Sequence, residues 1–131
     1  LHLTKNDISK SNSAIIVEGY IDFLQLYQSG VKNIVAVSGT AFTDGHAHLL
    51  KRLTKNVLIA YDGDSAGVSS AVKAGFVLLK NGMNPSIIRI PDGLDPDDWG
   101  FATFSGRDTT VCMRGICCWN FFHVLGFGEW C

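Results

Sequence analysis

Four short apolar runs alternate with segments of helical periodicity along most of the chain. The runs cover residues 14–17, 33–37, 57–61 and 86–90. Short, almost uniformly apolar runs are typical of strands that are buried on both faces of a parallel sheet. Because the connections between them are short, parallel strands with right-handed crossovers are the expected arrangement. We therefore predict an α/β domain with a four-stranded, mostly parallel sheet flanked by helices.

The segments between the apolar runs carry signals for the start and end of helices. From Tyr20 apolar residues recur at helical spacing, and Gly30 is a natural helix stop. Thr43 is suited to cap a second helix. A third helix is expected from Ser65 to about residue 79, and residues 1–12 have a weaker helical pattern.

Composition limits the class of protein without naming its partners. The net charge is -1 and the pI is near 6.4, so the chain lacks the strongly basic balance of many nucleic-acid-binding domains. Apolar runs stay far below membrane-spanning length, and the first residues do not resemble a signal peptide. We expect a protein of the reducing cytoplasm without a membrane partner, and a chain that begins inside a longer protein.

The last part of the chain differs from the rest. All four cysteines lie there, which argues against a secreted fold built on disulfides. They are Cys112, Cys117, Cys118 and Cys131. Their spacing is a poor match to a zinc site, because two are adjacent and C-x-x-C pairs are missing. We interpret residues 100–131 as an atypical tail that is either frameshifted or disordered.

Acidic residues follow three of the four predicted strands. Glu18 ends the first, Asp62 and Asp64 follow the third, and an acidic loop at 92–98 follows the fourth. Parallel strands bring their carboxyl ends to one sheet edge, where open α/β sheets bind ligands. Like charges gathered there cost stability unless something binds. A divalent metal ion held through oxygen is the expected ligand, although each acid alone is as compatible with a solvated surface or a turn.

Other interpretations of the Asp62-Gly63-Asp64 sequence can be weighed on neighbouring residues. A calcium-binding EF-hand loop fails, because Ala66 and Lys73 occupy positions that require a ligand. An aspartyl-phosphate-forming phosphatase would use Asp62 as nucleophile. Such enzymes usually place this strand first rather than third. A phosphate-binding α/β domain without chemistry of its own stays open.

Four motifs together resemble the ordered motifs of the Toprim domain, most closely in DnaG-type bacterial primases. In chain order they are Ile16-Val17-Glu18-Gly19-Tyr20-Ile21-Asp22, Ser38-Gly39-Thr40-Ala41, Tyr61-Asp62-Gly63-Asp64-Ser65-Ala66-Gly67 and Pro91-Asp92-Gly93-Leu94-Asp95-Pro96-Asp97. The resemblance implies a Rossmann-like Toprim domain at residues 14–99, preceded by a lead-in segment of the primase core at 1–13. The zinc-binding domain, the first part of the polymerase core and the helicase-binding domain of that family are absent from this chain.

The resemblance also implies a metal-dependent nucleotidyltransferase site. It assigns catalysis to Glu18, Asp62 and Asp64. Those three residues, with Asp95, Asp97 and Asp22, would bind Mg²⁺ or Mn²⁺, and no organic cofactor is implied. Two-metal chemistry would join ribonucleotides. Glu18 could alternatively accept the proton of the attacking 3′-hydroxyl.

The partners implied by the resemblance are those of DNA replication. They are a single-stranded DNA template, ribonucleoside triphosphates and, through the absent domain, the replicative helicase at the bacterial replisome. Lys5 and Lys10 precede the first strand where the family carries basic residues that contact nucleotide or template, although solvated surface lysines explain them equally well. The alternative is a non-catalytic fragment, or another Toprim protein of the topoisomerase or nuclease kind, that binds only metal and phosphate.

Overall fold

The computed structural model describes residues 2–88 and the backbone of residues 119 and 120. Helices and strands alternate through this part of the chain. In order they are α1 (Lys5–Ser11), β1 (Ala14–Val17), α2 (Tyr20–Gln28), β2 (Ile34–Ala36), α3 (Asp44–Lys51), β3 (Asn56–Ala60), α4 (Ser65–Lys80), β4 (Asn84–Ile87) and β5 (Trp119–Asn120). The predicted α/β alternation is confirmed.

The strands form one sheet in the order β2-β1-β3-β4-β5. The first four are parallel, as predicted. The two-residue β5 pairs antiparallel with the end of β4. The sequence prediction did not include β5, because a strand of two residues is too short to produce a periodic pattern.

Helices cover both faces of the sheet, which explains why all four residues of β1 are buried. On one face, Ile15 and Val17 pack in a cluster with α2. On the other face, Ala14 and Ile16 pack in a cluster with α1, α3 and α4. Layers of this kind are the arrangement in which a central parallel strand becomes a continuous apolar run.

Helices α2 and α3 begin where the sequence predicts. Thr43 caps α3, and its hydroxyl accepts a 3.4 Å hydrogen bond from the backbone N–H of His46. Helix α2 ends at Gln28, and Gly30 follows with a positive φ of 105°. That left-handed conformation is the reason for a glycine after the helix.

Strand β4 starts two residues before its predicted start and contains Pro85. Proline cannot donate a backbone hydrogen bond to a neighbouring strand, so it is uncommon inside a sheet. In the structure the N–H groups of Asn84 and Ile88 face β3 and bond to the carbonyls of Lys55 at 2.7 Å and Ile59 at 2.9 Å. The missing N–H of Pro85 therefore falls on the side facing away from β3. Residues 89–90 of the predicted strand lie outside the described residues.

Among the described residues, none of the helices has the length and apolar character needed to cross a membrane. The predicted tail at 100–131 lies outside the described residues except for β5.

Candidate functional site

The predicted acidic edge lies at the point where the order of strand addition reverses, between β1 and β3. The chain runs from β1 outward to β2, and then returns to form β3 on the other side of β1. Ligands of open α/β sheets bind in the crevice at such a switch point, outside the carboxyl ends of the strands. Val17 is the register partner of Ala60. The residues that follow, Glu18 and Tyr61, therefore leave neighbouring strands at the same level.

The carboxyl group of Glu18 interacts electrostatically with other predicted acidic residues. Its side chain is half-buried, and this burial is the largest cause that raises the pKa of its carboxyl above the usual 4.5. Repulsion from Asp62, then Asp64, then Asp22 raises the pKa further. Three carboxylates from α2 and the β3–α4 connection thus lie within electrostatic reach of Glu18. The structure brings four of the six predicted acids together, and their ligand roles stay predictions.

Two of these acids also stabilise helix starts. Asp22 accepts a 3.1 Å hydrogen bond through Oδ2 from the N–H of Gly19, at the start of α2. Asp64 is the N-cap of α4 and accepts a 2.6 Å bond through Oδ1 from the N–H of Gly67. Carboxylates at helix N-termini satisfy backbone donors and oppose the positive end of the helix dipole. Both α2 and α4 therefore direct their N-termini toward the acidic edge.

Tyr61 and Gly67 belong to this site although neither was among the predicted site residues. Tyr61 is buried beyond the end of β3. Burial first, and then the charge of Glu18, raise the pKa of its phenol to about 12. Gly67 is buried in the first turn of α4, directly against the Asp62 backbone. The role of Gly67 could have been suspected from a glycine that lies three residues after a helix-capping aspartate. No periodic pattern in the sequence indicates that Tyr61 lies beside Glu18.

The carboxylates of the described residues fit a metal site in which the protein supplies only part of the coordination shell. In the described ranges there is no group of three or more His, Cys, Asp or Glu side chains close enough to hold a metal ion. The acids nevertheless repel one another at Glu18, and their oxygens are the donors that hard divalent cations prefer. Mg²⁺ usually takes one or two carboxylates and completes its shell with water or substrate phosphates. The residues present fit such an ion.

Of the other predicted site residues, the structure describes the two lysines. Asp95 and Asp97 lie outside the described residues. Lys5 and Lys10 are exposed on α1. Lys10 lies in the last turn of α1, just before Asn12, whose carbonyl accepts a 3.1 Å bond from Asn56 at the opposite end of β3. Lys10 is therefore near the sheet edge opposite Glu18, and the nucleotide contacts of both lysines stay predictions.

Comparisons with known proteins agree with the fold. A family profile described as Toprim-like matches residues 15–99. The DNA primase of Listeria innocua is 42% identical over 118 residues, a match that covers 89% of this chain and 19% of that protein. The chain spans less than a fifth of the length of the curated relatives it matches first.

Solved primase structures share the same architecture. The Aquifex aeolicus primase, with zinc-binding and RNA polymerase domains, superposes with a TM-score of 0.72 at 42% identity, over 76% of this chain and 25% of that one. A DnaG primase catalytic domain bound to single-stranded DNA superposes with a TM-score of 0.61 at 37% identity, over 72% of this chain and 32% of that one. Similarity at this level extends to sequence as well as fold.

Proposed function

This chain belongs to the Toprim-like family, and on that premise we propose that it is the metal-binding catalytic portion of a DNA primase. The parent protein would synthesise short RNA primers on single-stranded DNA by metal-dependent nucleotidyl transfer. The observation that carries the proposal is the set of carboxylates around Glu18 at the switch point of the sheet. The similarity to DNA primases over most of the chain supports the same function.

Toprim domains of primases bind metal ions, and we propose Mg²⁺ or Mn²⁺ as the ion here. When bound, such ions neutralise a triphosphate and stabilise charge on the attacking and leaving oxygens. The acids proposed to hold them are Glu18, Asp62, Asp64, Asp95 and Asp97. Asp22 is the sixth candidate, and its bond to the Gly19 N–H orients its carboxylate at the start of α2.

The acidic side chains around Glu18 make the free site electrostatically favourable for a cation. Their mutual repulsion, which contributes to the raised pKa of Glu18, favours the entry of positive charge into the crevice at neutral pH. A divalent ion held by these carboxylates and by nucleotide phosphates would provide that charge. The site is thus suited to bind metal and triphosphate together, which fits the requirement of Mg²⁺ for substrate oxygens.

The proposed substrates are a single-stranded DNA template and ribonucleoside triphosphates. The related catalytic domain bound to single-stranded DNA supports the template part of this proposal. Lys5 and Lys10 are proposed phosphate contacts. The replicative helicase is the proposed partner of the parent protein in the bacterial cytoplasm, through a domain outside this chain.

Primer synthesis by the full-length parent protein tests the proposal. Glu18→Gln and Asp62→Asn each keep the shape of the side chain but remove a charge, and each should reduce synthesis roughly a hundredfold or more. Asp44→Asn is the matched control, because this carboxylate is exposed and interacts with Lys80 and Asn81 instead. The control should synthesise primers at the unmodified rate. Undiminished synthesis by the Glu18 and Asp62 variants would show that the acidic edge is not the active site.

A further inference from the structure

Helix α4 lies unusually close to the connection that carries the two aspartates. Gly67 is the third residue of this helix and is buried. A Cβ atom added to Gly67 would overlap the backbone carbonyl oxygen of Asp62, and would lie 3.0 Å from the carbonyl carbon. It would also lie 3.1 Å from Oδ1 of Asp64. Since the oxygen belongs to backbone, a side-chain rotation cannot relieve the overlap.

The requirement for glycine here is one of space. Among the described residues, the glycines with a positive φ are Gly30, Gly39 and Gly82, so Gly67 does not need a left-handed backbone. Any other residue could adopt its dihedral angles, but its Cβ would push the first turn of α4 away from Asp62. The helix start and the Asp62 carbonyl would have to separate.

Hydrogen bonds connect the same turn to Asp64. Its carboxylate accepts the 2.6 Å bond from the Gly67 N–H, and its carbonyl accepts a 3.0 Å bond from the N–H of Val68. The backbone of Asp62, the cap at Asp64 and the first turn of α4 therefore form one packed unit. A displacement of Gly67 moves both aspartates relative to Glu18 on the neighbouring strand.

We propose that Gly67 is a positioning residue, which holds Asp62 and Asp64 at the spacing that metal binding requires. It acts through the packing of α4 against the Asp62 carbonyl and through the bond from its N–H to the Asp64 carboxylate. This inference rests on the proposed metal-binding role of the two aspartates. The inference adds to the carboxylates a second requirement for metal binding, namely the absence of a side chain at residue 67.

Mn²⁺ binding to the 131-residue chain, followed by the relaxation enhancement of water protons, tests the inference without any catalytic assay. Gly67→Ala should weaken Mn²⁺ binding roughly tenfold to a hundredfold, as is typical for groups that orient metal ligands. Gly45→Ala is the matched control. Gly45 also lies in the first turn of a helix, but its added Cβ would be 3.6 Å from the nearest atom, Oγ1 of Thr43, which is an ordinary contact. This control should bind Mn²⁺ as the unmodified chain does.

A second pair of variants covers the case in which Gly67→Ala does not fold. Asp64→Asn and Asp64→Ala both remove the carboxylate, but only asparagine can still cap α4. If the docking of the first turn positions Asp62, Asp64→Ala should bind Mn²⁺ several-fold more weakly than Asp64→Asn. Equal affinities in this pair would overturn the inference.

The outcomes separate the inference from the proposed function. If the unmodified chain does not bind Mn²⁺ at millimolar concentration, the metal-binding function fails, and the inference fails with it. If the unmodified chain binds and a folded Gly67→Ala variant binds equally well, only the positioning role is overturned. Far-UV circular dichroism establishes whether the variant is folded.

Discussion

Val17 and Ala60 are register partners on adjacent parallel strands, and the residue after Val17, Glu18, helps to raise the pKa of the residue after Ala60, Tyr61. The pairing has a direct consequence for the site. It sets Glu18 beside the β3–α4 connection, where Asp62 and Asp64 contribute to its raised pKa. The local backbone register thus determines which charges meet, although Glu18 and the two aspartates come from different parts of the sequence.

Glu18→Gln is expected to stabilise the metal-free chain at neutral pH, because it removes a half-buried charge that its neighbours repel. The pKa of Glu18 is raised in the folded state, so the folded chain binds this proton more tightly than the unfolded chain does. The unmodified protein therefore gains stability as pH falls through that raised pKa, and the gain is complete below about 4.5. Urea unfolding should show the advantage of the variant shrinking over this range. An advantage that does not change with pH would contradict the prediction.

Asp44 should give the opposite pH dependence. The hydrogen bond from Asn81, and then the charge of Lys80, lower the pKa of its carboxyl below 3.8. The associated stability is present above 3.8 and is lost as pH falls through the lower, folded-state pKa. Carboxyl NMR titration should therefore find Asp44 titrating below 3.8 and Glu18 above 4.5. Asn81→Ala should shift the Asp44 midpoint upward and leave Glu18 unchanged; an unmoved Asp44 midpoint would remove Asn81 as the cause.

Local patterns in the sequence were sufficient for the parts of the fold that depend on neighbouring residues. The buried run of β1 and the cap at Thr43 are of this kind. The meeting of Glu18 with Asp62 could also be predicted, because parallel strands share a carboxyl edge. A fourth strand was predicted from residue 86, but its earlier start, which includes Pro85, was not, since the acceptability of proline there depends on which side of β4 faces β3.

The distances between helices and the connections they pack against could not be predicted from the sequence. The double role of Asp64, as a helix cap and a site carboxylate, needs the position of α4. The steric demand at Gly67 needs the approach of that helix to the Asp62 carbonyl. The position of Lys10 near the opposite edge depends on the direction of α1, which is fixed by the contact of Asn12 with Asn56. Packing in three dimensions decides each of these.

Mg²⁺ is expected to raise the unfolding temperature of the unmodified chain, because a ligand that binds only the folded state stabilises it by mass action. At a hundredfold excess over the dissociation constant the gain is about 2.7 kcal/mol. Removal of the ion with EDTA should reverse the shift. Differential scanning fluorimetry should find a smaller shift for Glu18→Gln and a full shift for the Asp44→Asn control. Equal shifts in both variants would indicate that the ion binds elsewhere.

Two buried threonines should respond in opposite ways to replacement by valine, which has nearly the same shape. Among the described residues, the Thr4 hydroxyl is buried without a hydrogen-bond partner. The Thr54 hydroxyl donates to Oδ1 of Asn12 at 3.2 Å and accepts from the N–H of Asn56 at 3.1 Å. Thr4→Val should therefore raise the free energy of unfolding by about 1 kcal/mol, and Thr54→Val should lower it by about 1–3 kcal/mol. Chemical denaturation measures both, and a loss of stability in Thr4→Val would mean that its hydroxyl is satisfied in solution.

Tyr61→Phe should make the chain more resistant to alkaline unfolding. Burial and the Glu18 charge raise the phenol pKa from 10.0 to about 12 in the folded state. A raised pKa contributes stability that is fully present below the unfolded value and is lost as pH rises through the folded one. The unmodified chain should therefore lose on the order of 2 kcal/mol between pH 10 and 12 through this group alone, whereas the phenylalanine variant should not.

The comparison of the two chains isolates the phenol, because every other titrating group is common to both. Urea unfolding across the alkaline range measures the loss, and parallel curves for the two chains would contradict the prediction. Glu18→Gln adds an independent check on the cause. Removing the neighbouring negative charge should lower the pKa of Tyr61, so the phenolate absorbance in this variant should appear at lower pH than in the unmodified chain. An unchanged midpoint would leave burial as the whole cause and would separate Tyr61 from the acidic edge.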